Sequence, residues 1–521
     1  MNAKTFLLYV FVFLYASAAR ADVEINELNF PDENFRNYIL SQSYGEDGVL
    51  TDDEIAGVDS INVSAPDVSK KSIKRMTGIE HFTALKVLYC QVNKINELDV
   101  SQNLMLTTLI CSRNRLTELD VSKNTKLTIL DCLSNQLTAL DVSKNTELTE
   151  LNCSGNQLMA LDVSKNTKLI SLNCSSSPLT TLDVSKNTAL TELTCAGNQL
   201  TALDVSQNMA LISLICSSNQ LTTLDVSNNT KLLSLDCMIN QLTALDVSQN
   251  TELTALSCEK NQLTALDVSK NTAMWLLWCS ENQLASLDLS GCTALETLYC
   301  EDNQLETLDV SECTALEYLW CDKNRLTVLD VSKNTILNGL QCQYNQLNVL
   351  DVSGNSLLKY LYCHNNQMTV LNASGCAALE WLECYQNQLA ALNVSGCAAL
   401  TMLKCYQNQL QGEAMDVFVE SLPTVASGSI HVINNINEDE QNVMTIDQVT
   451  IAKTKGWIPY YYDVAVYNWQ EYAGSEPDAI VGIKGDSTDD NFLYDLCGRK
   501  FSGKSAQVGI YINGSKKFLM K

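Results

Sequence analysis

From about His81 to Leu410 a single 21-residue phrase recurs sixteen times. One copy runs Leu127-Thr-Ile-Leu-Asp-Cys132-Leu-Ser-Asn135-Gln-Leu-Thr-Ala-Leu-Asp141-Val-Ser-Lys-Asn145-Thr-Glu147, and the next begins at Leu148. A fixed period of this length restricts the chain to a solenoid, because each copy is one turn that can bury its apolar residues only against its neighbours. Length therefore counts turns, not domains.

The columns read L-x-x-L-x-C-x-x-N-Q-L-T-x-L-D-V-S-x-N-T-x, the leucine-rich-repeat core with Cys in its third apolar slot. Apolar and polar residues alternate around the Cys, as in Leu130-Asp131-Cys132, so each copy supplies one short strand to a long parallel sheet. At about 4.8 Å per strand, the stack is roughly 75 Å long. Twenty-one residues leave no room for a helix on the back of each turn, so extended or 3₁₀ backbone with modest curvature is expected there.

Sixteen of the 21 cysteines form one column, Cys90 to Cys405. In-register neighbours stay near the strand spacing, whereas a disulfide needs Cβ atoms about 3.8 Å apart, so the column reads as small buried hydrophobes. Cys292 and Cys313, and likewise Cys376 and Cys397, replace the Asn of the S-x-N-T corner in adjacent copies, where looser backbone leaves a bridge open. The Asn93 to Asn408 column, broken at Ser177-Pro178, reads as buried amides that satisfy backbone groups of adjacent coils. The Asp99 to Asp351 column, continued by Asn372 and Asn393, reads as turn caps in preference to a calcium ladder.

The L-D-V-S-x-N-T-x-L-x-x-L-x-C-x-x-N-Q-L phrase resembles the repeats of the internalin J-like bacterial leucine-rich-repeat proteins across residues 79–410. The resemblance implies a right-handed solenoid and a role in surface adhesion or host contact.

Strand positions flanking the buried Leu and Cys face the concave side. Early copies place small or polar residues there, such as Asn152, Ser154, Asn173 and Ser175. Later ones place Trp278, Tyr299, Tyr318, Trp320, Tyr360, Tyr362, Trp381, Tyr385 and Tyr406, interleaved with Glu301, Asp322 and Glu383. A contiguous aromatic patch is the expected ligand-binding surface, for a protein or for a glycan stacking on ring faces. The alternative is that the rings only brace the sheet, in a passive structural or surface-layer protein.

The flanks complete an α/β solenoid with a parallel concave sheet, a helical N-terminal cap, an α/β C-terminal cap and a small C-terminal β module. Residues 1–21, with an apolar Phe6 to Leu14 run followed by small-residue sites, read as a secretory signal peptide. In 22–78, Pro31 marks a helix start, and Thr51 with Glu54 caps a second helix. The loop around Asp47-Gly48 is a degenerate EF-hand, its first and third positions being Ser43 and Gly45, and is expected to be metal-free. In 411–475, Met415, Phe418, Val419 and Leu422 share one helix face ended by Pro423, a strand covers Ile430 to Ile433, and Thr445 with Gln448 opens a helix ending at Gly456. Ala473 to Pro477 reads as a linker. In 476–521, Asn513-Gly514 signals a hairpin. There Y-D-L-x-G-R-K and G-I-Y-I-x-G-x-K-K are similar to the C-terminal β-domains that direct Gram-negative proteins through the type IX secretion route, which implies an export or anchoring address.

A net charge of −26 disfavours nucleic acid and anionic membranes as partners, and no apolar run after residue 21 is long enough to span a bilayer. The three histidines, His81, His364 and His431, fall in separate contexts, and no catalytic or nucleotide-binding phrase is present. The sequence therefore predicts a monomeric binding protein without enzyme activity, metal or cofactor. Its place is outside the cell or on the outer surface of a Gram-negative bacterium, and its partner is a host or bacterial surface protein or glycan.

Overall fold

The computed structural model describes residues 22–64, 72–436 and 440–476, and the backbone of four strands beyond them, Leu493–Tyr494, Lys500–Phe501, Gly509–Asn513 and Lys516–Met520. The expected signal peptide lies outside the described residues, as does most of the Y-D-L-x-G-R-K phrase.

Each repeat forms one coil of a leucine-rich-repeat solenoid. Its strand has three residues, such as Ile129–Asp131, and pairs in parallel and in register with the same positions of the next coil, Ile129 with Glu150 and Leu130 with Leu151. One continuous twenty-stranded sheet runs from Ser60–Asn62 to Asn468–Glu471, and only the final pairing, with Trp457–Asp463, is antiparallel. On the opposite flank the L-D-V-S piece forms short parallel pairs in two places, Ala265–Asp267 with Ser286–Asp288 and Val349–Asp351 with Val370–Asn372.

Leu127, Leu130, Cys132, Leu137, Leu140 and Val142 of one coil are all buried, and the same slots are buried in the coils around it. At about 1.5–3 kcal/mol per side chain this is the main driving force, and it exists only when neighbouring coils are present. The ladder cysteines are fully buried thiols, and burial pushes Cys90, Cys132 and Cys174 up to about 12.

The Asn93 to Asn408 column locks adjacent coils. Asn135 Nδ2 donates to the carbonyls of Cys132 in its own coil, at 3.0 Å, and of Cys111 in the preceding coil, at 3.1 Å. Its Oδ1 accepts from Leu116 N of the preceding coil at 3.0 Å. The ties thus reach backward only. The first of them uses the N-terminal segment, where Asn93 bonds Val63 O and Ile73 N. The last comes from outside the repeats: Asn442 donates to Cys405 O and accepts from Leu410 N.

The residue before each ladder Asn adopts a left-handed backbone, from Val92 to Gln407, and only Gly155 and Gly197 in that column are glycines. A non-glycine residue there costs on the order of 1 kcal/mol, which the three bonds of the following Asn offset.

A second asparagine column was not read as such in the sequence. Asn145 Nδ2 bonds Val121 O and Asn124 O, both at 2.9 Å, while its Oδ1 is enclosed without a partner. That orphan oxygen explains why Cys can stand there. Cys292, Cys376 and Cys397 keep one donation each, to Val268 O, Val352 O and Ala373 O, and Cys replaces an unsatisfied acceptor by sulfur. Cys292, Cys313, Cys376 and Cys397 are free thiols, so the bridges left open from sequence are not formed. The Asp column caps turns: Asp141 Oδ1 accepts from Ser143 N at 2.8 Å, and the same bond recurs along the column.

At the N-terminal end, helix α1 (Glu33–Leu40) is capped by Asp32, so Pro31 lies just outside it. Helix α2 (Asp52–Gly57) has the Thr51/Glu54 capping box, which occupies the Glu54 carboxylate. At the other end α3 (Glu413–Ser421) buries Met415, Phe418 and Val419, and α4 (Ile446–Thr454) has the Thr445/Gln448 box. Gly456 must be glycine, since an added Cβ would meet Val425 O at 1.9 Å. The expected linker is pinned at its start, because Ser475 N donates to Met444 O and Ser475 O accepts from Ile446 N. In the C-terminal segment Gly509–Asn513 and Lys516–Met520 pair antiparallel, as the Asn513-Gly514 signal predicts.

Ser177-Pro178 is the one break in the first Asn ladder. Ser177 Oγ is enclosed without a partner, and Pro178 has no N–H for the bond that Gln157 and Gln199 give to Leu137 O and Leu179 O in flanking coils. Ser177→Asn with Pro178→Gln is therefore expected to raise unfolding stability by about 1–3 kcal/mol in a denaturant titration, and an unchanged or lowered midpoint would refute the ladder account. The buried thiols predict a second result: a thiol-specific reagent should leave the ladder cysteines of the folded chain unmodified and label them only in denaturant.

Candidate functional site

In the later coils the residues on either side of the central strand Leu are large, and the same alternation that buries the Leu presents them on the concave face. They do not project freely. Most are half-buried, because parallel in-register strands bring identical positions of adjacent coils close enough for rings to stack.

The structure sorts them into two groups. In the first, Trp278 meets Tyr299 edge-on at 5.6 Å between centroids, and Tyr299 stacks on Trp320 at 4.1 Å. Gln341 ends that row. Tyr318, beside it, covers Gly339, where an added Cβ would lie 3.1 Å from the Tyr318 ring.

The second group runs along the position after the Cys. His364 stacks on Tyr385 at 4.1 Å and Tyr385 on Tyr406 at 4.4 Å, with Tyr344 edge-on to His364. Tyr406 then meets Trp469 of the last strand, and Trp469 meets His431. His364 and His431 are therefore members of one aromatic row and not in separate contexts as the sequence suggested. The reason is that strand Gly428–Asn434 pairs in parallel with Met402–Lys404 and so continues the repeat register beyond the last repeat. Burial lowers both imidazoles, His431 to about 4, so both are neutral at pH 7. Tyr360, the most exposed of the predicted residues, and Tyr362 enter neither row.

Polar groups differ between the two halves. In the C-terminal half Glu383, 7 % exposed, accepts from Trp381 Nε1 at 2.8 Å and from Lys404 Nζ at 2.7 Å, with His364 Nε2 3.9 Å away. Its charge is compensated. In the N-terminal half, Trp278 Nε1 and Glu301 Oε2 are both enclosed without partners. Asp322, 7 % exposed, sits at the same position as Glu301 in the next coil. Burial first and then Glu301 push its carboxyl up to about 6, and burial raises Glu301 as well. The nearby cations are engaged elsewhere: Lys323 is on Asp302 at 3.2 Å, and Lys260 is on Glu259 and Glu281 at 2.6 and 2.8 Å.

Sequence reasoning missed Tyr344, His364, Lys404, His431 and Trp469. The first three are at repeat positions and could have been found by extending the columns by one place. Trp469 lies outside the period and gave no signal. Among the described residues, no group of three or more His, Cys, Asp or Glu side chains is placed to hold a metal ion.

No protein-family model matches the sequence, and no curated protein matches it. Solved structures do. The functional domain of InlJ from Listeria monocytogenes, which includes a cysteine ladder, is 32% identical, with 88% of this chain and 94% of that one covered and a TM-score of 0.62. The leucine-rich-repeat protein LIC12759 of Leptospira interrogans is 22% identical over 71% of this chain and 95% of its own, with a TM-score of 0.55. The Arabidopsis receptor kinase HAESA, solved with the peptide hormone IDA and the co-receptor SERK1, shares the fold at 19% identity and a TM-score of 0.59, with 78% of this chain and 77% of that one covered. With its thiols stacked coil upon coil and its identity to InlJ carried over nearly the whole of both chains, the protein belongs to the internalin J-like family of cysteine-ladder leucine-rich-repeat proteins.

Proposed function

We propose that this is a binding protein, secreted or held at the outer surface of a Gram-negative cell, that recognises a surface protein or glycan on the C-terminal third of its concave face. One observation carries the reading: a row of half-exposed rings, Trp278, Tyr299 and Trp320, with an indole N–H and a carboxylate oxygen beside them that no group among the described residues satisfies. Large aromatics at the centre of a face supply most of the binding energy in protein interfaces, and an enclosed polar atom without a partner calls for a reason, which a site that rearranges around a bound group supplies. Membership in an internalin-like family supports the binding role. No described helix is long and apolar enough to cross a membrane, and the type IX-like phrases of residues 476–521 support attachment through that segment.

The passive structural alternative is favoured by the second row, whose rings run without a gap from His364 into the last strand and whose charges are internally paired. Both readings hold if the two rows differ in role. Trp278→Ala with Trp320→Ala is then expected to reduce binding of the labelled chain to intact cells or to a glycan array by about tenfold or more with little change in unfolding temperature. Tyr385→Ala with Tyr406→Ala should lower the unfolding temperature instead. If the tryptophan pair costs stability and leaves all binding intact, the concave-face reading fails.

A further inference from the structure

Glu301 and Asp322 occupy equivalent positions of adjacent coils, about one strand spacing of 4.8 Å apart. Asp322 is buried and Glu301 half-buried with its Oε2 enclosed, and among the described residues neither has a bonded cation, since the two lysines of the neighbourhood are spent on Asp302, Glu259 and Glu281. Two enclosed carboxylates side by side oppose each other, and a folded chain keeps such an arrangement at a cost in stability. Beside them is the Trp278–Tyr299–Trp320 row, whose ring faces carry the negative side of the aromatic quadrupole. The corner therefore attracts one kind of group twice over. A bare metal ion suits it poorly, with two carboxylates and a hydrocarbon wall. A neutral sugar would stack on the rings but leave both carboxylates uncompensated.

Resting on the concave-face reading above, we infer that the corner formed by Trp278, Tyr299, Trp320, Glu301 and Asp322 takes a lysine or arginine side chain from an extended segment of a protein partner. The alkyl stem lies along the rings, and the cationic head bonds the Glu301 and Asp322 carboxylates. The compensated Glu383–Lys404 pair one row further on cannot serve in this way, because its own lysine already fills the role.

The sign of the pH response follows. A cation holds Asp322 ionised, so affinity should fall as pH drops through about 6. The charged groups acting on this carboxyl are Glu301, Asp302 and Lys323, and none of the three histidines is among them.

The test uses the whole chain and a fluorescein-labelled peptide alternating lysine and glycine, with a glutamine-glycine peptide as control, read by fluorescence anisotropy. The lysine peptide should bind and the glutamine peptide should not. Glu301→Gln with Asp322→Asn should weaken binding by about tenfold or more, as should Trp320→Ala. Asp141→Asn with Asp162→Asn removes the same charge from the turn column, where asparagine already serves at 372 and 393, and should leave binding unchanged. Equal loss in both acid pairs would reduce the effect to the overall charge, and no loss in either would show that the two carboxylates take no part; each result overturns the inference. Folding has its own readout: neutralising Glu301 and Asp322 should raise the unfolding temperature at pH 7.5 and not at pH 4, because the repulsion exists only when both are ionised. If the lysine peptide does not bind while Trp278→Ala with Trp320→Ala still abolishes cell or glycan binding, the cation inference falls and the concave-face reading stands. If that tryptophan pair changes no binding at all, both fall.

Discussion

The asparagine side chain that joins each coil to the one before it is the interaction on which the rest of the structure depends. Apolar burial makes the coils adhere, but leucines alone do not fix how far one coil rotates or slides against another. Three directed hydrogen bonds do. Asn135 holds two carbonyls and one amide that would otherwise be sealed in the core without partners, and the bonds exist only at one register. With register fixed, identical strand positions superpose, and only then can rings on successive coils meet face to face, as Tyr299 and Trp320 do.

That dependence explains what could be read from the sequence and what could not. The repeat announces the solenoid, the buried columns and the concave positions, because each is a matter of period and alternation. The capping boxes at Thr51 and Thr445 were equally legible, being local patterns of four residues. What the period hides is the behaviour of a column taken as a whole. The second asparagine column reads in the sequence only as a corner with looser backbone, whereas in the structure its side chains are fully buried and carry orphan oxygens. The left-handed residue before each ladder Asn left no mark, since glycine fills it only at 155 and 197.

The aromatic surface was legible as a set of residues but not as a set of roles. Tyr385 and Tyr406 differ from Trp278 and Trp320 through what lies beyond them: Trp469, from a non-repeating strand, continues one row, while Gln341 ends the other. Charge compensation likewise depends on which lysine reaches which acid. Lys404 reaches Glu383, but Lys323 turns away from its neighbour Asp322 to Asp302. Such choices among rotamers are decided in three dimensions and have no periodic signature.

The backward direction of the asparagine ties gives the solenoid an arrow. A coil emerging first, whether from a ribosome or through a membrane channel, cannot satisfy its own buried carbonyl and amide; the asparagine that does so is carried by the coil behind it. Growth from the N-terminus is thus self-correcting, each arrival sealing the turn already made. It needs a terminator that contributes an asparagine and requires none in return, and Asn442 fills that post.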